Sequence, residues 1–256
     1  MGPQLKVVST MSVGADHIDI PLLRSRSIKI GNTPNVLTDA TADLTLALIL
    51  MASRRLGEGM TSVRDGLWGT WSPTWLCGMQ LGGKTIGIVG LGRIGTAVGR
   101  RLRAFNVGRI LYCSRAEKIE NAEMIAAEFV EFSQLLSQSD VVVITCDLND
   151  STKQLFNSAA FEKMKPTSLL INTSRGGVVH TGDLVDALER KSIAGCGLDV
   201  TDPEPLPKDH RLLSFPACIV VPHLGSATID TREAMARLAV KNVLAGVLDC
   251  SLTDEV

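Results

Sequence analysis

Three ionisable side chains in the second half of the chain are of the types that move a proton and hold a carboxylate. Each follows a short apolar run that is typical of a strand, and they are Arg175, Glu204 and His223. In a parallel sheet the carboxyl ends of the strands share one edge, and ligands bind beyond that edge. We therefore predict that the guanidinium, the carboxylate and the imidazole lie together in one site.

The chemistry that suits these residues is the reduction of a 2-keto acid, with the hydride supplied by a cofactor. His223 can give a proton to the carbonyl oxygen near neutral pH, and Glu204 can orient the imidazole and stabilise its charged form. Arg175 can hold the substrate carboxylate with two hydrogen bonds and polarise the carbonyl. Taken singly, Arg175 also fits a surface arginine, and Glu204 also fits a charge on a rigid exposed loop. The other histidines are predicted to have no chemical role, and they are His17, His180 and His210.

A glycine-rich loop follows the apolar run 85–89 and precedes a helical stretch that extends to Ala104. Its residues are Gly90, Leu91, Gly92, Arg93, Ile94 and Gly95. In the pattern G-x-G-x-x-G the first glycine allows a tight turn, the second lets a pyrophosphate approach, and the third lets the helix pack on the strand. The start of the helix offers N–H groups and partial positive charge to phosphates. The loop predicts a dinucleotide site.

The type of dinucleotide is indicated by the end of the next apolar run, 109–113. Sites for NAD usually carry Asp or Glu there, whereas this run ends in Ser114 and Arg115, with Lys118 close by. Arginine offers a planar fork of donors to a 2′-phosphate. The sequence therefore predicts NADPH as the preferred cofactor and NADH as the weaker one, unless Arg115 is only a solvated surface residue.

Composition excludes several other classes of protein. The 256 residues are 45% apolar, and 26 basic residues nearly balance 27 acidic ones, so neither a nucleic-acid nor a lipid partner is indicated. The longest apolar run, 44–52, is too short to span a bilayer. Because no signal-peptide core begins the chain, a cytoplasmic protein is expected. The six cysteines are scattered, which predicts buried thiols and neither disulfides nor a metal site.

The fold class follows from near-continuous apolar runs that alternate with helical stretches. The runs are 85–89, 109–113, 141–145, 168–172, 194–199 and 218–221. This pattern predicts an α/β fold with a doubly wound parallel sheet of the Rossmann type. We assign residues 37–228 to this dinucleotide-binding domain. Residues 1–36 and 229–256 are assigned to the remnant of a second domain.

The elements outside the predicted sheet are few. Two short strands are predicted at 6–10 and 28–30, and a helix is predicted from Thr38 onward, with Gly57 able to stop it. A last helix is predicted at about 229–248. Since two short strands cannot make a stable domain, this second domain is expected to be incomplete.

Several segments together make the chain similar to a known family. They are 90–95, 172–179, 197–200 with 203–205, and 222–228. Over essentially its whole length the chain resembles the D-isomer-specific 2-hydroxyacid dehydrogenases. Segments 9–14 and 71–78 are most similar to members that reduce glyoxylate and hydroxypyruvate. The resemblance implies NADPH-dependent reduction of these small 2-keto acids to glycolate or D-glycerate, and a flavodoxin-like substrate domain whose first strands precede the position of Met1.

The resemblance also implies roles for individual residues. Arg175, Glu204 and His223 would be catalytic. The backbone N–H groups of Val13 and Gly14 would bind the substrate carboxylate, and Ser226 is placed with the substrate-binding residues. The nicotinamide side would be lined by Thr173, Asp199 and Gly225.

The same resemblance implies a homodimer. The helix from Thr38 onward would lie in the subunit interface. Trp71 would reach the neighbouring subunit's active site and select small substrates, although an ordinary half-buried indole is an alternative.

Two other functions stay open at this point. One is a catalytically inactive, nucleotide-binding interaction or regulatory protein of the same superfamily, which the incomplete second domain would favour. The other is a related dehydrogenase of phosphoglycerate or lactate, which Ser114, Arg115 and the tryptophan-rich segment disfavour.

Overall fold

A computed structural model gives the structure of the protein and describes Gly2 and residues 4–256. The chain divides into two compact units, one formed by residues 42–225 and the other by the residues up to 41 together with 226–256.

The regular elements alternate between strand and helix over most of the chain. In chain order they are β1 (Val7–Ser9), α1 (Ile20–Ser25), β2 (Lys29–Gly31), α2 (Thr38–Ser53), α3 (Leu56–Arg64), β3 (Thr85–Val89), α4 (Arg93–Ala104), β4 (Arg109–Cys113), α5 (Ile119–Glu123), β5 (Ala127–Phe129), α6 (Phe132–Gln138), β6 (Val141–Ile144), α7 (Ser158–Phe161), β7 (Leu169–Asn172), α8 (Thr181–Glu189), β8 (Gly195–Leu198), β9 (Cys218–Val220) and α9 (Ile229–Val247). Short 3₁₀ helices lie at Gly176–Val178 and Arg211–Ser214.

The larger unit is built on a seven-stranded sheet in the order β5-β4-β3-β6-β7-β8-β9, with all neighbouring strands parallel. From β3 the next strands along the chain, β4 and β5, lie on one side, and from β6 the strands β7 to β9 lie on the other side. This arrangement confirms the predicted doubly wound α/β fold. The strand order reverses at the neighbouring strands β3 and β6. Folds of this kind bind their ligands beyond the carboxyl ends of the strands at such a point. The glycine-rich loop leaves β3 at that point.

The strands are apolar on both faces because both faces are covered. All four residues of β6 are buried, as are those of β7 and β8. One apolar cluster on one face includes Leu135, Phe156 and Phe161, and a second on the other face includes Leu48 and Leu102. Burial of both faces explains why the sequence shows continuous apolar runs instead of an alternating pattern.

Two details of the larger unit differ from the sequence predictions. Strand β5 was not predicted, because it is an edge strand of three residues that are all at least partly exposed. The prediction that Gly57 stops the helix from Thr38 was wrong. That helix, α2, ends at Ser53, Arg55 adopts a left-handed backbone with φ of 53°, and Gly57 lies inside the next helix, α3.

Helix α2 ends early because its last residue is engaged by another segment. The carbonyl of Ser53 accepts the N–H of Met79 at 2.7 Å. A Cβ at Gly78 would overlap the same carbonyl, so only glycine permits this approach of the two backbones.

Asp140, which stands just before β6, joins three parts of the larger unit. Its carboxylate accepts the N–H of Thr85 at 2.9 Å and pairs with Lys165 at 2.9 Å. Burial alone would raise the pKa of Asp140, but the bonds from Thr85 and Lys165 outweigh it and lower that pKa below its ordinary value. The ionised form of this carboxylate therefore stabilises the fold.

We expect the substitution Asp140→Asn to lower the free energy of unfolding at neutral pH by about 1–2 kcal/mol, because hydrogen bonds to a charged group are lost. A depressed folded pKa contributes stability above the unfolded pKa, and that contribution is lost as the pH falls through the folded pKa. Urea unfolding should therefore show the gap between variant and wild type closing in acid. Asp150→Asn, in an exposed loop, is the control, and a gap that stays constant with pH would contradict the assignment.

The smaller unit contains the parallel pair β1–β2 and the helices α1 and α9. Thr228 caps α9 by accepting the N–H of Thr231, so this helix begins where the sequence predicted. Asn242 on α9 is completely buried, donates to the carbonyl of Asn32 and accepts N–H groups of the C-terminal segment. No helix of the described residues is long and apolar enough to cross a membrane.

The cysteines only partly match the prediction of buried thiols. Cys196 is buried, with its Sγ 3.3 Å from that of Cys218 on the neighbouring strand, whereas Cys77 and Cys250 are exposed. Burial raises the pKa of Cys113 to about 12. The exposed pair lies in segments outside the sheet, where the apolar-strand argument did not apply.

Candidate active site

The centre of the site is a contact between an imidazole and a carboxylate. His223 Nδ1 lies 2.6 Å from Glu204 Oε1. Both side chains remain close to half exposed, so solvent or a small molecule can reach them. Because Nδ1 is held by the carboxylate, Nε2 is the ring nitrogen that can face a substrate, and Glu204 fixes the orientation of the ring.

The loop after β8 presents Glu204 through bonds within itself. The second carboxylate oxygen, Oε2, accepts the N–H of Thr201 at 3.2 Å. The hydroxyl of Thr201 donates to the carbonyl of Pro203 at 2.8 Å. Both oxygens of Glu204 are therefore engaged, one toward the loop and one toward His223.

The loop after β9 presents His223 in an unusual backbone conformation. His223 has a φ of 53°, in the left-handed region that non-glycine residues rarely adopt. The neighbouring residue that holds it there is Asp199, at the end of β8. The carbonyl of Asp199 accepts the N–H of His223, and its carboxylate accepts those of Leu224 and Gly225. Three successive N–H groups are thus bound by one residue, which supports a conformation with a cost of about 1–3 kcal/mol.

Burial raises the pKa of Asp199 above its ordinary value, although the N–H groups of Leu224 and Gly225 act in the opposite direction. The resemblance to the family implied that Asp199 lines the nicotinamide side. In the structure its carboxylate is directed to the backbone that carries His223. The strand end at 199 was the signal for a functional residue, but its partner could not be read from spacing.

We expect Asp199→Asn to lower kcat about tenfold with little effect on the affinity for the cofactor, because an amide has one acceptor oxygen where the carboxylate has two. The NH₂ of the new asparagine would face the N–H of Leu224 or Gly225, and one of these hydrogen bonds would be lost. The backbone that carries His223 would then be held less firmly. Steady-state kinetics and direct cofactor titration measure the two quantities. Unchanged kcat would remove Asp199 from the support of His223, and Asp202→Asn, an exposed neighbour, is the control.

Arg175 begins the turn after β7 and is held from the strand end. The buried side chain of Asn172 donates to the carbonyl of Arg175 at 2.9 Å and accepts the N–H of Ser174 at 3.0 Å. Asn172 therefore shapes the turn that carries Arg175. Its role was missed from the sequence, where it read as the last residue of an apolar run.

The Arg175 and Glu204 loops touch through their backbones. A Cβ built at Gly176 would overlap the carbonyl of Thr201, and the N–H of Thr201 in turn binds Glu204. This contact brings together the turns that carry Arg175 and Glu204. The contact between His223 and Glu204 then joins the loop of His223 to them. Thr173, also predicted here, is buried and its hydroxyl lies 2.8 Å from that of Thr45 on α2.

The glycine-rich loop has the geometry of a phosphate cradle. Gly90 has a φ of 97° and lies against the backbone of Cys146, so a side chain would fit there in neither space nor conformation. A Cβ at Gly95 would overlap the carbonyl of Gly90. Gly92, by contrast, faces open space and precedes α4 as its N-cap, with Arg93 and Ile94 in the first turn of the helix. The open position and the helix N-terminus fit the pyrophosphate of a dinucleotide.

The loop after β4 carries the residues predicted to choose the dinucleotide. Ser114 Oγ donates to the carbonyl of Ala116 at 2.6 Å, while Arg115 and Lys118 are exposed. They lie beyond the carboxyl end of β4, next to the strand that leads into the glycine loop.

The other predicted substrate-binding residues are divided between the two units. In the smaller unit, the carbonyl of Val13 accepts from Asn32 and that of Gly14 from Ser12. Ser226 begins the segment that leads into α9 and accepts the N–H of Thr228. In the larger unit the side chain of Trp71 is 82% exposed, so the alternative of a half-buried indole does not describe it.

The three remaining histidines each make a local hydrogen-bond contact. His180 precedes α8 and its Nδ1 accepts the N–H of Asp183, while His210 does the same for Leu212 ahead of the 3₁₀ helix Arg211–Ser214. His17 lies 3.1 Å from the hydroxyl of Thr10.

Comparison with known proteins identifies the family of the chain. Residues 46–225 match the family model described as D-isomer specific 2-hydroxyacid dehydrogenase, NAD binding domain. The chain belongs to the D-isomer specific 2-hydroxyacid dehydrogenases. It is therefore an oxidoreductase of a family whose matched domain holds a nicotinamide cofactor.

Relatives with named activities cover nearly the whole chain. The glyoxylate reductase/hydroxypyruvate reductase of Homo sapiens is 50% identical over 246 residues, which are 96% of this chain and 75% of the relative. The glyoxylate reductase of Thermofilum pendens is 47% identical over 95% of this chain and 72% of its own length.

A solved structure gives the same fold. The NADPH-dependent glyoxylate/hydroxypyruvate reductase of Sinorhizobium meliloti, in complex with NADP and malonate, superposes with a TM-score of 0.89 at 34% identity. The match covers 99% of this chain and 78% of the other.

Proposed function

We propose that this dehydrogenase is an NADPH-dependent reductase of glyoxylate and hydroxypyruvate, giving glycolate and D-glycerate. The observation that carries the proposal is the 2.6 Å contact between His223 and Glu204 at the sheet edge from which the glycine loop also leaves. The activities named for the human and Thermofilum relatives support the choice of substrates.

Each residue of the site has a step in this reaction. Bound NADPH would supply the hydride. Arg175 would bind the carboxylate of the 2-keto acid with a fork of two N–H donors and polarise the carbonyl. His223, oriented by Glu204, would donate a proton from Nε2 to the carbonyl oxygen as it gains negative charge. Thr173 and Gly225 would stand beside the nicotinamide, and the roles given to Val13, Gly14 and Ser226 stay predictions.

The exposed apolar surface of the larger unit supports a homodimer as part of this proposal. Every residue of α3 is at least partly exposed, and Leu56, Met60 and Val63 form a stripe along it. Trp68 and Trp71 continue the apolar surface after the helix. A surface of this kind marks an interaction site, and a second copy of the chain would cover it. Trp71 would then reach the active site of the second copy, and the cytoplasm stays the predicted location.

The proposal is tested by following the absorbance of NADPH with four 2-keto acids as substrates: glyoxylate, hydroxypyruvate, pyruvate and 3-phosphohydroxypyruvate. Turnover with the first two and not with the others is expected. Binding of NADPH without turnover of any of them would instead identify a non-catalytic, nucleotide-binding protein. Faster turnover of pyruvate would identify a lactate dehydrogenase, and faster turnover of 3-phosphohydroxypyruvate a phosphoglycerate dehydrogenase.

The choice of NADPH over NADH leads to a prediction at Arg115. We expect Arg115→Ala to raise the Michaelis constant for NADPH about tenfold, because a charge-assisted contact to the 2′-phosphate is lost, and to leave that for NADH nearly unchanged. Initial rates with both cofactors measure this difference. An equal effect on both would mean that Arg115 does not read the 2′ position, and Arg109→Ala at the other end of β4 is the control.

A further inference from the structure

The loop of residues 114–118 rests on a buried tyrosine. Tyr112 on β4 is completely buried, and its ring packs on Phe129 with centroids 5.2 Å apart. Its hydroxyl accepts the backbone N–H of Lys118 at 3.1 Å. Phenylalanine would pack equally well in this apolar setting, so the hydroxyl acts on the loop and not on the core. It fixes the end of the loop at a set distance above the strand.

The helix that follows this loop, α5, is hydrogen-bonded to the glycine loop. Asn121 on α5 donates from Nδ2 to the carbonyl of Leu91 at 3.2 Å and lies 2.9 Å from the hydroxyl of Thr96. That hydroxyl donates to the carbonyl of Gly92 at 2.8 Å. Asn121 thus links the segment that carries Arg115 and Lys118 to the residues that would bind the pyrophosphate. Asn121 therefore helps to set the relative position of these two subsites, in addition to the pairing of β3 with β4.

The cationic groups of this region are available for an anion. Among the residues that the structure describes, Arg93, Arg115 and Lys118 form no ion pair, and all three are exposed. Long exposed side chains lose rotamer freedom when they bind, and a flexible loop would add its own ordering cost. A loop that is already held by Tyr112 and Asn121 avoids the second cost.

We propose that Tyr112 and Asn121 are positioning residues for cofactor choice: they hold residues 114–118 where Arg115 and Lys118 meet a phosphate on the ribose 2′ position. The inference rests on the proposed preference for NADPH. Neither side chain would touch the nicotinamide end, so their loss should change discrimination between cofactors and leave hydride transfer itself unchanged.

The experiment is a direct titration of NADPH, NADH and adenosine 2′,5′-bisphosphate into the full chain by calorimetry. Tyr112→Phe should weaken NADPH and the bisphosphate about 3- to 10-fold, the effect of one lost hydrogen bond, and leave NADH within twofold. Asn121→Ala should weaken NADPH more than NADH by a similar factor. Turnover at saturating NADPH should stay that of wild type in both variants.

A matched control and three outcomes decide the matter. Glu123→Gln, at the exposed end of α5, should bind both cofactors as wild type does. Equal weakening of NADPH and NADH in Tyr112→Phe and Asn121→Ala would reduce both residues to structural supports and overturn the inference. An unchanged ratio with unchanged affinities would overturn it as well. Wild type that binds NADH as tightly as NADPH would overturn both this inference and the proposed cofactor preference, whereas the first two outcomes leave that preference intact.

Discussion

The variant His223→Ala should retain its fold and lose about 10²–10⁴-fold in turnover of glyoxylate, the range for removal of a general acid. Glu204 holds the imidazole at 2.6 Å, and the imidazole is accessible to a substrate. The imidazole is therefore the group that we expect to supply the proton. NADPH affinity should change little. The measurement is kcat by NADPH absorbance, together with a cofactor titration that reports an intact glycine loop.

The chain offers a matched control for this loss. His180 caps α8, since its Nδ1 accepts the backbone N–H of Asp183 at 3.2 Å. His180→Ala removes an equivalent imidazole and should cost about 1 kcal/mol of stability as a lost cap, with kcat unchanged. Glu204→Gln should give an intermediate loss, since the amide oxygen can still accept from Nδ1 and orient the ring but lacks the charge of the carboxylate. Full activity in His223→Ala would end the assignment of the proton donor.

The second large effect is expected at a residue with no side chain. Gly176→Ala places a Cβ on the carbonyl of Thr201, a backbone group that cannot rotate away as a side chain could. The turn that carries Arg175 must then move away from the loop that carries Glu204. A displacement of about 1 Å in an active site can cost about 10²-fold in rate, and we expect kcat/KM to fall by that factor.

Gly177→Ala separates this effect from the mere loss of a glycine. A Cβ there would meet Leu148 at 3.1 Å, and this neighbour is the end of a side chain that can rotate. Its activity should stay within a few-fold of wild type, whereas Gly176→Ala should also lower the free energy of unfolding by about 1–3 kcal/mol, as overpacking does. Equal activities in the two variants would show that the contact with Thr201 does not position Arg175.

The sequence predicted most of the larger unit because its strands are buried on both faces. Continuous apolar runs such as 141–145 are the direct signature of that burial, and they fixed the sheet without any knowledge of contacts. Strand β5 was not predicted because an exposed edge strand of three residues has no such signature. The end of α2 was predicted wrongly for a different reason. It depends on the approach of Gly78 and Met79 to Ser53, which is a contact between separate segments of the chain.

The candidate site divides in the same way. Topology alone placed Arg175, Glu204 and His223 at one sheet edge, because the residue after each parallel strand must emerge there. It could not supply the partner of Asp199 or the buried acceptor role of Tyr112, since a strand pattern shows that a residue is buried but not which atom its polar group meets.

By itself, the amino-acid sequence determined the type of sheet, the phosphate-binding loop and the three ionisable residues beyond the strand ends, because periodicity and local turn chemistry are encoded within a few neighbouring residues. Only the tertiary structure decided how those residues are held: the three N–H groups bound by Asp199, the overlap forbidden at Gly176 and the hydrogen bond from Asn121 to the glycine loop. Each of these depends on atoms brought together by folding from positions about 20 or more residues apart, a distance over which local pattern carries no information.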